Sequence, residues 1–250
     1  MKTLGIIPAR YASVRFEGKP LAVINGKTMI CRVAERVSQA TMLSDVIVAT
    51  DDTRIAKEAA RNGFRAMMTS DKHPNGTSRC LEAFDKLGKD FDAVINIQGD
   101  EPFIDPQQID TLAHLIAHSN ADIATLVKKI ETSDELFSPN VVKAVVGNDG
   151  KALYFSRQAL PYLRGIEQSK WIESQTFYKH IGIYAYRTDI LRKIVTLPPT
   201  PLETSESLEQ LRWLENGLTI ATATTSHESI AIDSPSDLTK AEMFAQQNNI

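Results

Sequence analysis

The sequence predicts an α/β protein with a mostly parallel sheet and an antiparallel segment inserted at about residues 125–200. Three observations lead there. Short apolar runs alternate with helical repeats through the first hundred residues. Strand-like runs then follow one another between 122 and 155, with a turn signal at Asn148-Asp149-Gly150. The chain has 250 residues, 42% hydrophobic and 24% charged, which suits one large α/β domain with that insertion.

Residues 3–7 open as a buried strand, which Pro8 is expected to end. Met29, Ile30, Val33, Ala34 and Val37 recur at helical spacing, so residues 29–40 form a helix with Thr28 as its N-cap. A strand at 45–49 precedes a helix at 53–62, closed by Gly63. Strand 65–69, helix 78–87 and strand 93–97 complete the alternating part. Strands then fall at 122–128, 141–147 and 152–155, and residues 161–178 read as a polar loop. Strand 180–186, helix 189–195, a Pro-rich turn, helix 205–216 and strand 218–224 follow. Ser234-Pro235 starts the last helix, Ser as N-cap and Pro in the first turn.

The net charge of −3 argues against nucleic acid as a partner. Cys31 and Cys80 form no C-x-x-C pair and have no zinc spacing, so core packing in a reducing cytoplasm is expected. No apolar run approaches the roughly 18 residues of a membrane span, and the start of the chain lacks the pattern of a signal peptide.

Arg10, Arg15 and Lys19 follow the first strand within ten residues. At the carboxyl end of an open sheet they would suit a strongly anionic ligand such as a nucleoside triphosphate; the plainer alternative is a solvated basic loop. Gly26-Lys27-Thr28 is not a P-loop, since Leu21 stands where that pattern needs Gly. The G-x-G-x-x-G fingerprint is also absent. Asp100, in Gln98-Gly99-Asp100-Glu101-Pro102, would project beside the cationic loop. It either helps hold Mg²⁺ or stabilises a turn. Asp233 is a second metal carboxylate or a complement to the positive end of the last helix. His180 and Tyr184 share one strand face, and with Arg157 could hold a polyhydroxylated acid.

An ordered set of motifs joins these residues: Arg10-Tyr11-Ala12-Ser13 with Arg15, Gly18-Lys19-Pro20-Leu21, Ala49-Thr50-Asp51, Gly76-Thr77, Gln98 to Pro102, Tyr154 to Arg157, His180 to Tyr184, and Leu208 to Arg212. Together they closely resemble the 3-deoxy-manno-octulosonate (Kdo) cytidylyltransferases, or CMP-Kdo synthetases, from residue 4 to about 240. The resemblance implies a Rossmann-like nucleotidyltransferase fold, a homodimer and a Mg²⁺ cofactor. It implies transfer of CMP from CTP to Kdo, giving pyrophosphate and CMP-Kdo for lipopolysaccharide. By motif, Arg10, Arg15 and Lys19 would bind the triphosphate, and Lys19 would also stabilise departing pyrophosphate. Pro8, Ala9, Thr77, Arg79 and Gln98 would surround cytosine and ribose. Asp100 and Asp233 would hold the metal, which would activate the attacking hydroxyl. Arg157, His180, Tyr184, Glu209 and Gln210 would line the sugar site. Glu17 stands where Pro is common, and Ser78 where an acid is common that would help position Arg79. The rivals are a cytidylyltransferase for 8-amino-Kdo or another acidic sugar, and a non-catalytic nucleotide-binding protein.

Overall fold

The computed structural model describes residues 1–12, 15–228 and 230–247; Ser13 of the first motif lies outside them. The chain forms two compact units, Met1–Ala113 with Glu228–Ile250, and His114–His227.

The first unit runs β1 (Thr3–Ala9), β2 (Val23–Ile24), β3 (Lys27–Thr28), α1 (Met29–Val37), β4 (Asp45–Thr50), α2 (Thr53–Arg61), β5 (Ala66–Met68), α3 (Gly76–Leu87) and β6 (Ala93–Asn96). Helix α4 (Pro106–His118), for which the sequence reading assigned no element, leads out of it. The strands lie in the order β6-β1-β4-β5, all parallel. Leu4, Ile6, Ile7, Ile47, Val94 and Ile95 have no exposed surface, as expected where helices cover both faces.

Pro8 does not end β1. The strand continues to Ala9, with Pro8 opposite Ala49 of β4. Ile97 N donates to Ile6 O, so Ile6 and, two residues on, Pro8 turn their polar backbone atoms toward the β6 side. The β6 pairing has already stopped at Asn96, so the N–H that proline lacks has no ladder to break there. Gly26 sits in a hairpin turn: Asn25 and Gly26 have φ of 42° and 80°, the signature of a two-residue primed turn between β2 and β3. Thr28 occupies the N-cap of α1 but makes no capping bond; its hydroxyl donates to Glu58 Oε1 at 3.2 Å. Cys31 and Cys80 are buried free thiols on α1 and α3.

The second unit holds β7 (Ile123–Lys129), α5 (Ser133–Phe137), β8 (Lys143–Val146), β9 (Ala152–Ser156), α6 (Trp171–Ser174), β10 (Tyr178–Arg187), α7 (Thr188–Thr196), α8 (Pro201–Glu206), α9 (Glu209–Glu215) and β11 (Ile220–Thr224). Strand β7 pairs with β11 in parallel and with β10 antiparallel; β8 pairs antiparallel with both β10 and β9. The segment 161–178 is not a plain loop. Trp171, 2% exposed, packs with Ile130, Leu136 and Phe177, and its Nε1 donates to Ile166 O at 2.9 Å. The helix expected at 205–216 is two helices, because Ser207 adopts a left-handed conformation (φ 52°) between α8 and α9.

The chain returns to the first unit with α10 (Pro235–Gln247). It starts as the Ser-Pro signal predicts. Asp237 Oδ2 accepts from Ser234 N (3.0 Å) and Ser234 Oγ (2.7 Å), tightening the first turn.

Candidate active site

In the first unit the carboxyl ends of β1 and β6 open onto a cavity of about 290 Å³. Its wall includes Pro8, Ala9 and Arg10 from the end of β1, and Gln98, Gly99 and Asp100 from beyond β6. Gly99 is required by close approach: a Cβ there would lie 2.6 Å from Pro8 O. Ile232 N donates to Asp100 O at 2.9 Å, tying the segment that carries Asp233 to the one that carries Asp100.

Lys19 is presented by a short 3₁₀ turn, Lys19–Leu21, entered through Gly18 at φ 68°. Gly18 N donates to Tyr11 O at 3.0 Å, and a Cβ on Gly18 would meet the Tyr11 ring at 3.1 Å. The Lys19 side chain, 13% exposed, places its ammonium 2.8 Å from Asp100 Oδ2 and 3.4 Å from Asp233 Oδ1. Arg15 reaches Asp233 Oδ1 at 3.0 Å. Two carboxylates 133 residues apart in sequence therefore meet at one ammonium. Among the described residues no group of three or more His, Cys, Asp or Glu could hold a metal. The Asp100–Asp233 pair offers hard oxygen donors alone, a set that fits Mg²⁺ completed by phosphate oxygens and water.

Beneath this cluster the Arg79 guanidinium, 3% exposed, bonds Asp51 Oδ2 (2.8 Å) and Thr69 Oγ1 (2.6 Å). Asp51 Oδ1 also accepts from Tyr11 N at 3.4 Å, and Arg54 stacks 3.4 Å over the Tyr11 ring. Asn75 caps α3 by accepting from Ser78 N at 3.0 Å. Ser78 thus closes the helix start, and Arg79 takes its acid from Asp51. Glu17 is exposed and outside the cavity lining. Thr77 is buried on α3 and does not line the cavity, whereas His73, Pro74, Asn75 and Gly76 do. His73 Nε2 is held by Glu82, whose carboxylate also accepts from Lys86 and Ser70 N; these bonds outweigh its burial and bring its pKa to about 2.

The other five candidate residues lie in the second unit. His180 and Tyr184 stand on β10 on either side of a bulge: Ile181 pairs with Leu126, and Tyr184 with Thr125. Skipping two residues preserves side-chain parity, and the two rings meet with centroids 5.2 Å apart. Thr125 donates its one hydroxyl proton to Ile183 O at 2.8 Å. Ile181 O, at 3.3 Å, is a second carbonyl on the same hydroxyl; with the proton given to a carbonyl, the Thr125 oxygen accepts from His180 Nε2 at 3.0 Å, the Nε2–H tautomer that leaves Nδ1 a lone-pair acceptor. Burial pushes the His180 pKa down to about 3, so the ring is neutral at pH 7. Tyr184 is 8% exposed; burial first, then Tyr186 and the Glu209 carboxylate, push its phenol well up. Its ring meets Trp213 of α9 edge-on at 5.0 Å, placing β10 against the helix that carries Glu209 and buried Gln210. Arg157 closes β9, its Nε donating to Glu206 O at 2.7 Å.

Residues 4–220 match the Cytidylyltransferase family. The 3-deoxy-manno-octulosonate cytidylyltransferase of Parabacteroides distasonis is 52% identical over 248 residues, 98% of each chain. That of Cytophaga hutchinsonii is 54% identical over 236 residues, 94% of each. This chain belongs to the 3-deoxy-manno-octulosonate cytidylyltransferases. A solved CMP:2-keto-3-deoxy-manno-octonic acid synthetase, complexed with CTP, superposes with a TM-score of 0.92 at 39% identity, covering 99% of this chain and 100% of that one. A nucleotidyl transferase from Methanothermobacter, at 14% identity and a TM-score of 0.64, shares the fold alone.

For this cytidylyltransferase, sequence reasoning missed the role of Asp51, although the signal was present: it follows directly on the parallel strand β4, as Asp100 follows four residues beyond β6. It also left out His73 and Asn75, which precede the Gly76-Thr77 motif and line the cavity, His73 held by Glu82 and Asn75 capping α3.

Proposed function

We propose that this chain transfers CMP from CTP to the anomeric hydroxyl of Kdo and releases pyrophosphate, supplying CMP-Kdo for lipopolysaccharide. One observation carries the reading: Lys19 meets Asp100 and Asp233 on a cavity at the strand ends, in a chain 52% identical to a cytidylyltransferase of that name.

In-line displacement at the α-phosphorus needs positioning and neutralised charge more than covalent help. Arg10, Arg15 and Lys19 provide the cations. Lys19 and Arg15 lie at the cavity against Asp100 and Asp233, and binding of the metal and the triphosphate would exchange these ion pairs for contacts to phosphate. Lys19 is then placed to stabilise the departing pyrophosphate. Pro8, Ala9, Arg79 and Gln98 surround the nucleoside, while Thr77, buried on α3, does not line the cavity. Asp100 and Asp233 hold Mg²⁺, which when bound neutralises phosphate charge and makes a coordinated hydroxyl more acidic. In the second unit Arg157 receives the sugar carboxylate. His180 offers Nδ1 to a sugar hydroxyl, and Tyr184 remains a neutral phenol; Glu209 and Gln210 take further hydroxyls. The family resemblance also supports a cytoplasmic homodimer, which sedimentation would check.

The test is pyrophosphate release with CTP, Mg²⁺ and, separately, Kdo, 8-amino-Kdo or sialic acid. Release with Kdo is expected, together with loss on chelation. Preference for another sugar would change the acceptor and keep the mechanism. Silence with every sugar, despite CTP binding, would overturn the catalytic reading.

A further inference from the structure

Lys143 on β8 has no exposed surface, and its three ammonium protons all go to main-chain carbonyls: Ser138 O (2.8 Å), Val141 O (2.5 Å) and Arg157 O (2.6 Å). A buried lysine satisfied by carbonyls alone is uncommon, because the charge must be desolvated without a direct carboxylate contact. All three bonds converge on the segments around Arg157. Glu206 completes the arrangement. Its Oε2 accepts from Arg157 N at 2.9 Å, and its Oε1 accepts from Ser156 Oγ at 2.6 Å. The guanidinium donates through Nε to Glu206 O (2.7 Å) and through Nη1 to Pro139 O (3.0 Å).

Arg157 is thus gripped at its N–H, its C=O and its side chain. A guanidinium carries five N–H donors in a rigid plane; Nη2 also reaches Ser207 O at 3.5 Å, so among the described residues one donor on each Nη atom remains. Lys143 and Arg157 stand against the one carboxylate of Glu206: burial lowers the Lys143 pKa, Glu206 raises it and Arg157 lowers it further. A fork held this way is ready for a planar anion at little ordering cost.

We propose that Lys143, Ser156 and Glu206 are positioning residues for the acidic sugar: they hold Arg157 in the orientation that receives its carboxylate. This rests on the placement of Arg157 in the sugar site proposed above. A group that acts through Arg157 affects the sugar and leaves the nucleotide alone, so the readout is the KM for each substrate.

The experiment compares Lys143→Met, Ser156→Ala, Ser156→Thr and Arg157→Ala, with Kdo and CTP varied separately. Lys143→Met should raise the KM for Kdo about tenfold or more while moving the KM for CTP less than about twofold. Ser156→Ala frees one oxygen of Glu206 and should raise the KM for Kdo about threefold, and Ser156→Thr, which keeps the hydroxyl, should restore it. If Lys143→Met does not fold, the Ser156 pair decides alone. An unchanged KM for Kdo in the Lys143 and Ser156 variants, with a raised one in Arg157→Ala, overturns the inference and spares the sugar-site reading. Equal rises for both substrates overturn it as well, since they mark a merely structural role. An unchanged KM for Kdo in Arg157→Ala overturns the sugar-site reading and this inference with it.

Discussion

Asp51→Asn leaves Arg79 charged, 3% exposed, and with Thr69 as its remaining side-chain partner among the described residues. The Asp51 side chain is itself 12% exposed, so water cannot replace the lost carboxylate without opening the floor of the cavity. Breaking a buried pair from one side costs about 3–5 kcal/mol. Asn retains one acceptor oxygen, which puts the expected loss near the lower end, about 3 kcal/mol. At about 2–4 °C per kcal/mol for a chain of this size, the melting temperature should fall by roughly 6–12 °C. The asparagine oxygen must also choose between Arg79 and Tyr11 N, so the loop after β1 loosens and CTP binding weakens. Differential scanning calorimetry on Asp51→Asn, Arg79→Met and the double variant provides the assay. Removing both partners eliminates the stranded charge, so the double variant should be more stable than the sum of the single losses by about 1 kcal/mol or more. A fall of less than about 3 °C for Asp51→Asn, or strict additivity in the double variant, would refute the argument.

Asp100→Asn should lower kcat by about 10²-fold while changing CTP affinity little, read from turnover and calorimetric titration; equal losses in both would argue against a role in the chemistry. Gly99→Ala forces a Cβ to within 2.6 Å of Pro8 O, a backbone atom that cannot swing away. It should destabilise by about 1–3 kcal/mol on thermal melting, and an unchanged melting temperature would show that the two segments can part. His180 should show no imidazole titration by NMR between pH 5 and 8 and should carry its proton on Nε2. Its folded pKa of about 3 lies below the ordinary 6.5, so the unfolded chain binds the extra proton. Stability from this residue is therefore complete above about pH 6.5 and lost as the pH falls toward 3; a titration near 6.5 would contradict the burial argument.

How far the sequence reaches depends on the range of the interaction. Apolar period, turn residues and caps are local, and they placed β1, β4, β6 and the Ser-Pro start of α10 within a few residues. They also put Arg10, Arg15, Lys19 and Asp100 just beyond strand ends, where an open sheet binds ligands. Local rules erred where a distant group intervened. Pro8 stays in β1 because β6 has stopped beside it, and Ser207 breaks a helix whose last carbonyl is taken by Arg157. Segment 161–178 looked polar because its organising residue, Trp171, is one side chain whose partners, Ile130 and Leu136, lie far back in sequence. Chemistry-bearing residue types could be named from the chain by itself. Only the tertiary structure decided that Asp51 serves Arg79, that Thr125 sets the tautomer of His180, and that one ammonium joins Asp100 to Asp233. Each of these is a contact between residues 28 to 214 positions apart. No local period records such a meeting, which exists only once packing has closed the intervening loops.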